Sequence, residues 1–130
     1  MVNGCLIDFL KISFNNRDPV YVQIAEHVKK QVLVGNAKHG EELPSRRELA
    51  AMLGINPNTV QKAYKMMEKG GFVTTSGNYG SVVCVNERIL GAIEKELTEG
   101  MVKEFVKSAK EVNLSFKYVI HMVSRLWDEN

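Results

Sequence analysis

Arg46 and Arg47 open one helix-like run, Asn58, Thr59, Gln61 and Lys62 open the next, and Gly54-Ile55-Asn56-Pro57 lies between them. Short amides, a hydroxyl and cations at the start of a helix form a set of hydrogen-bond donors and acceptors. They suit base edges and phosphate oxygens better than bond-making chemistry. Charge is concentrated in the same place. Ser45 to Lys69 holds Arg46, Arg47, Lys62, Lys65 and Lys69 against Glu48 and Glu68, a balance of +3, while the whole chain carries only +2. Residues 1–85 hold 10 Lys/Arg against 7 Asp/Glu, and residues 86–130 hold 7 against 8. A polyanionic partner accounts for this distribution, and so does a solvated helix face.

Other chemistries find little support. His27, His39 and His121 share no ligand spacing with one another or with Cys5 and Cys84, so no metal site is expected and the cysteines read as reduced apolar residues. No Ser/His/Asp set, paired carboxylates or glycine-rich phosphate loop emerges, which leaves no catalytic residue and no cofactor to name. Met66, Met67, Met101 and Met122 read as core or interface filler. No apolar run approaches the roughly 20 residues of a membrane helix. The first residues, MVNGCLIDFLKISF, lack a basic region and a small-residue cleavage site. The expectation is a cytoplasmic protein with no membrane partner.

The elements that must position these residues follow from pattern. Residues 1–16 read as a loose arm in which Ile7, Phe9, Ile12 and Phe14 form a short extended segment. Asp18-Pro19 supplies a cap and a first helical residue, and Val20, Ile24, Val28 and Val32 give an amphipathic helix ending near Val34, before Gly35-Asn36. Glu42-Leu43 reads as a stub of strand. Ser45-Arg46-Arg47-Glu48 fits a capping box, Leu49, Met52 and Leu53 form a short apolar stripe, and Gly54 stops that helix. Asn56 caps the next, Pro57 opens it, and Val60, Ala63, Tyr64 and Met67 share one face up to Gly70-Gly71. The period then changes. Phe72 to Thr75 and Ser81 to Val85 are β-branched runs around Ser76-Gly77-Asn78-Tyr79-Gly80, a hairpin. Residues 86–130 return to helix, with Gly100 an interruption and a last helix from Ser115 to Trp127 carrying Val119, Met122, Val123 and Leu126 inward.

Helix, short helix, glycine turn, helix, hairpin is the order of a winged helix-turn-helix. The predicted fold is mainly α with a small β-hairpin: an arm (1–16), a winged helix-turn-helix domain (17–85) and a C-terminal helical tail (86–130). The N-terminal corner of the second helix of the motif is expected to enter a major groove, with free backbone N–H groups facing phosphate. Asn56 has two roles open to it, helix cap and DNA contact. Thr59 and Lys62 favour phosphate, and Lys65 lies a turn farther from the groove.

The run Leu43-Pro44-Ser45-Arg46-Arg47-Glu48-Leu49-Ala50 resembles the signature of GntR-type regulators. The resemblance continues through Gly54-Ile55-Asn56-Pro57-Asn58-Thr59-Val60, Ala63-Tyr64, Glu68 to Val73 and Gly80 to Val83, and includes Pro19 to Ala25. It covers residues 12–85 and is specific. The short tail resembles that of the YtrA-like subfamily, in which a helical tail mainly builds a homodimer. The resemblance implies a sequence-specific DNA-binding transcription regulator, a repressor acting by promoter occlusion, with control of a neighbouring transporter operon. It places Arg47 at the arginine that reaches DNA, with Ser45 and Arg46 nearby. Asn56, Asn58, Thr59 and Gln61 take the recognition-helix positions, and Gly77, Asn78 and Tyr79 the wing tip. Two departures stand out: no basic residue precedes the wing glycine, and Pro57 and Gln61 occupy positions where some relatives carry arginine.

Apolar residues of the tail, Ile89, Ile93, Leu97, Phe105 and Ala109, recur at helical spacing with no long partner in the chain, so a second copy is expected to cover them. A two-fold dimer would set two recognition helices on an inverted repeat in double-stranded DNA, about one helical turn apart or a multiple of it. An unidentified small-molecule effector between tail and wing domain fits this plan. The rival readings are a protein-interaction module of winged-helix shape without specific DNA binding, and an enzyme or carrier using the tail as a pocket.

Overall fold

A computed structural model of the chain describes residues 7–77 and 80–129. The described chain forms α1 (Val20–Leu33), α2 (Arg46–Leu53), α3 (Pro57–Lys69), β1 (Val73–Ser76), β2 (Gly80–Val83), α4 (Glu87–Glu111) and α5 (Phe116–Trp127). It divides into two compact units at Ile93/Glu94. The division falls inside α4, beyond the Val85 boundary expected at the end of the hairpin.

In the first unit α3 packs against both α1 and α2. Ile24, Val28 and Val32 of α1, Leu49 of α2 and Val60, Ala63, Tyr64 and Met67 of α3 are essentially buried, joined by Phe72, Val73 and Val83. These are the faces that the three- and four-residue spacing picked out. The arm belongs to this unit. Phe9 is buried in a 3-10 turn (Phe9–Lys11) that packs on α2, so the residues around it are a capped turn rather than an extended segment. Asp8 caps that turn by accepting from the Leu10 N–H at 3.0 Å.

The start of α1 differs from expectation. Its N-cap is Pro19, with no side-chain cap bond. Asp18 instead sits in a turn built on Asn15, whose Oδ1 accepts from the Arg17 and Asp18 N–H groups. The buried Gln23 then clasps this turn. Its Nε2 donates to the Asp18 and Asn15 carbonyls at 2.8 and 3.1 Å, and its Oε1 accepts from the Asn15 N–H at 2.9 Å. A buried amide needs all these partners, and here the turn supplies them.

β1 and β2 pair antiparallel, with Val73 opposite Val83 and Ser76 opposite Gly80. Residues 40–43 run along the other edge of β2. The Gly40 N–H donates to the Val83 carbonyl at 2.7 Å, the Val83 N–H to Glu41 at 2.9 Å and the Leu43 N–H to Ser81 at 2.9 Å. The stub expected at Glu42-Leu43 is therefore a bridge, Glu42 to Val82. It leaves β2 bonded on both sides, which suits a hairpin too short to be stable alone.

In the second unit the chain turns between α4 and α5 at Asn113, a left-handed residue at φ 57° and of a type that tolerates that conformation. Ser115 caps α5, accepting from the Tyr118 N–H at 3.1 Å. α4 runs through Gly100 without a break. One glycine costs about 1 kcal/mol in a helix, too little to end one with good formers on both sides. No residue of 94–129 is buried, and Phe105, Phe116, Ile120 and Trp127 are all exposed. Ile93, by contrast, is 3% exposed and completes the first unit.

Gly54 closes α2 in the left-handed region at φ 66°, ψ 37°, with its N–H on the Ala50 carbonyl. A β-carbon there meets no atom within 4 Å, so the penalty for alanine is conformational alone. Gly54→Ala is expected to cost about 1–2 kcal/mol, read as a lower urea midpoint at unchanged slope.

Candidate nucleic-acid interface

The turn between α2 and α3 is set by two caps. Ser45 Oγ accepts from the Glu48 N–H at 3.1 Å while Glu48 Oε1 accepts from the Ser45 N–H at 3.0 Å, a complete capping box. These bonds hold the Glu48 carboxyl below the ordinary glutamate range, the backbone bond to Ser45 first and its hydroxyl second. Gly54 ends α2, the Ile55 N–H reaches back to the Ala50 carbonyl at 3.0 Å, and Asn56 begins α3. Asn56 Oδ1 accepts from the Asn58 N–H at 2.7 Å.

That cap revises one expectation. Pro57 has no N–H, the Asn58 N–H is bonded to Asn56 Oδ1, and the Thr59 N–H is bonded to the Asn56 carbonyl at 2.9 Å. The first turn of α3 therefore keeps few free N–H groups, and the polar groups it offers to solvent are mainly side chains. Asn58, Lys62 and Lys65 are exposed at spacings of four and three, on one face opposite the buried Val60, Ala63 and Met67; Thr59 and Gln61 flank that face, half-buried. The Lys62 ammonium also lies 5.8 Å from the centroid of the Tyr21 ring, which draws its stem toward α1.

The two neighbouring arginines part company. Arg47 is exposed, with no hydrogen bond or ion pair of its side chain among the described residues. Arg46 turns inward. Its guanidinium stacks 4.9 Å over the ring centroid of the fully buried Tyr64 and pairs with Glu68 at 3.3 Å. Adjacency alone does not distinguish them. The signal that separates them is Tyr64 and Glu68, one helix away. Gly77 is exposed at the end of β1, and Asn78 and Tyr79 lie outside the described residues.

Ile93, expected to face a second copy, is buried on its own chain and is unavailable for that role. Ile89, Leu97 and Ala109 are half-buried and Phe105 is exposed. An open groove of about 320 Å³ runs between the arm and α1. Part of its polar lining is occupied by internal bonds. Asn15, Asp18 and Gln23 bond one another, and His27 Nε2 bonds the Asp8 carbonyl at 3.1 Å.

Comparison with known proteins places this geometry. The family described as "Bacterial regulatory proteins, gntR family" matches residues 20–83. The chain is 33% identical over 102 residues to the HTH-type transcriptional regulator YhcF of Bacillus subtilis, covering 78% of this chain and 84% of that protein. It is 38% identical over 98 residues to the HTH-type transcriptional repressor YtrA of the same organism, covering 75% and 73%. The chain belongs to the GntR family. Among solved structures, a GntR family transcriptional regulator from Listeria monocytogenes superposes with a TM-score of 0.76 at 25% identity, over 86% of this chain and 98% of that one. The fold is thus a GntR winged helix-turn-helix with a YtrA-like tail, and the chain is a DNA-binding transcription regulator, not an enzyme. Among its described residues, no helix is long and apolar enough to cross a membrane.

In this GntR-family chain Ser45 is first a cap. Ser45→Ala is expected to cost about 1 kcal/mol in the free protein, measured by denaturation. Because the Glu48 pKa is lowered by folding, its carboxylate stabilises the fold above the ordinary glutamate value, and that contribution is lost as pH falls through the lowered one. The stability difference between wild type and Glu48→Gln should therefore be present at neutral pH and close in acid.

Proposed function

We propose that the chain works in the cytoplasm as a homodimeric repressor that occupies an inverted-repeat operator and blocks the promoter. The observation that carries this reading is the exposed polar corner at the α2–α3 turn. There Arg47 is unpaired among the described residues, and Asn58 and Lys62 are turned to solvent with Thr59 and Gln61 at their flank. The buried face of α3 fixes that corner, and its side chains match the donors and acceptors of a major groove. The repressor assignment draws on the YtrA relative, which is described as a repressor.

The dimer draws on the tail. A unit that buries none of its described residues, while exposing Met101, Phe105 and Val106 on α4 and Ile120, Val123 and Leu126 on α5, lacks a core of its own. A second copy supplies one, and its two-fold symmetry sets the inverted repeat. Ile93 is left out of this surface, and the interface is assigned to Leu97, Phe105 and Ala109 with the exposed face of α5.

Arg47→Ala should cost on the order of 1–3 kcal/mol in operator affinity if Arg47 reads a base. If it holds a phosphate, affinity should fall uniformly across sequences, with the salt slope smaller by about one. No change in either quantity removes Arg47 from the site. Cutting the chain after Ile93 should leave a monomer with operator affinity sharply reduced. Full affinity from that fragment, or a monomeric full-length chain by sedimentation at micromolar concentration, contradicts the dimer.

A further inference from the structure

Resting on the reading of α3 and the hairpin as the DNA-binding surface, we infer that Arg46 is a positioning residue. Through Glu68 and Thr75 it sets the wing against α3, and it makes no phosphate contact of its own. The connections are continuous. Arg46 Nη2 pairs with Glu68 Oε2 at 3.3 Å, the two side chains being 31% and 30% exposed. The same carboxylate oxygen accepts a hydrogen bond from the Thr75 hydroxyl. A threonine hydroxyl has one proton to give. With that proton on Glu68, the 2.7 Å contact between Thr75 Oγ1 and Ser81 Oγ has Ser81 as its donor. Ser81 is buried and stands directly opposite Thr75 in the hairpin register. One chain of polar contacts therefore ties the first residue of α2, the last turn of α3 and both strands of the wing.

The guanidinium is committed to that chain from two sides. Its central carbon lies over the Tyr64 ring, 4.9 Å from the centroid, and the Tyr64 hydroxyl donates to the Pro44 carbonyl at 2.5 Å, which fixes the ring. Its Nε is buried with no hydrogen-bond partner among the described residues, so the group is held by its ion pair and its place over the ring. A planar, delocalised cation suits this combination, and a lysine would not reproduce it. Arg46 and Glu68 together carry no net charge. Of the two arginines, Arg47, exposed and unpaired among the described residues, is the one left to meet phosphate, beside Lys62.

The test compares Arg46→Met, Glu68→Ala and the double variant. In the free protein each single change should speed amide hydrogen exchange in β1 and β2 severalfold while α1 amides keep their rates. The double variant should add nothing further, as expected for two members of one connection. On DNA, Arg46→Met should keep the wild-type salt slope, whereas a lost phosphate contact would lower it by about one. Equal acceleration in α1 and the hairpin would reduce Arg46 to a general stabiliser, and a lowered slope with unchanged hairpin exchange would make it a phosphate contact. Either result overturns the inference. If Arg46→Met does not fold, Glu68→Ala decides alone: hairpin-selective exchange supports the strut, and wild-type exchange refutes it. If the wild-type protein binds no DNA, the functional reading fails while the exchange result still judges the strut.

Discussion

The domain is organised around the burial of Tyr64. Its ring is fully enclosed on the inner face of α3, and its hydroxyl donates to the carbonyl of Pro44, just ahead of α2. A buried phenol without a partner would be costly, so the bond fixes both the rotation of α3 and the position of the chain that leads into α2. The outer face of α3 is then determined. With Val60, Ala63, Tyr64 and Met67 inward, Asn58, Lys62 and Lys65 must point out. The Arg46 guanidinium lies over the same ring, so the aromatic core residue also separates the two neighbouring arginines into one held against the fold and one that faces solvent.

What was legible in the sequence was local chemistry with a fixed offset. The Ser45–Glu48 box, the glycine stop at Gly54, the Asn56-Pro57 start and the change of period after Gly71 each depend on a few neighbouring residues, and each is found where expected. The misses are long-range. Pro19 rather than Asp18 caps α1 because Gln23, buried and reaching back five and eight residues, recruits the Asp18 and Asn15 backbone into a turn. The inward turn of Arg46 depends on Glu68, twenty-two residues away. Ile93 shares its spacing with Leu97 and Phe105, and periodicity cannot say which copy of a chain will cover a given apolar residue. Gly100 reads as a breaker from its type alone, but the helix formers around it outweigh the cost of one glycine.

The arrangement also divides labour between backbone and side chain at the interface. Because Asn56 and Pro57 leave the first turn of α3 with little unbonded N–H, the helix terminus contributes less to phosphate binding than such ends often do. On the proposed function, sequence preference rests on a small number of polar side chains, and their placement depends on Tyr64, the two caps and the wing. In the proposed dimer the tail supplies the remaining requirement. A single polar corner of this size meets only a few base pairs, so useful specificity needs two corners at a fixed spacing.

The central claim, a dimer reading an inverted repeat through the α3 corner, is tested most directly by selecting bound duplexes from a random DNA library with the full-length protein near physiological salt. A dimer should enrich an inverted repeat whose half-site centres lie about one helical turn apart, or a multiple of it. Recovery of no enriched sequence, or of a single unrepeated site, would contradict it.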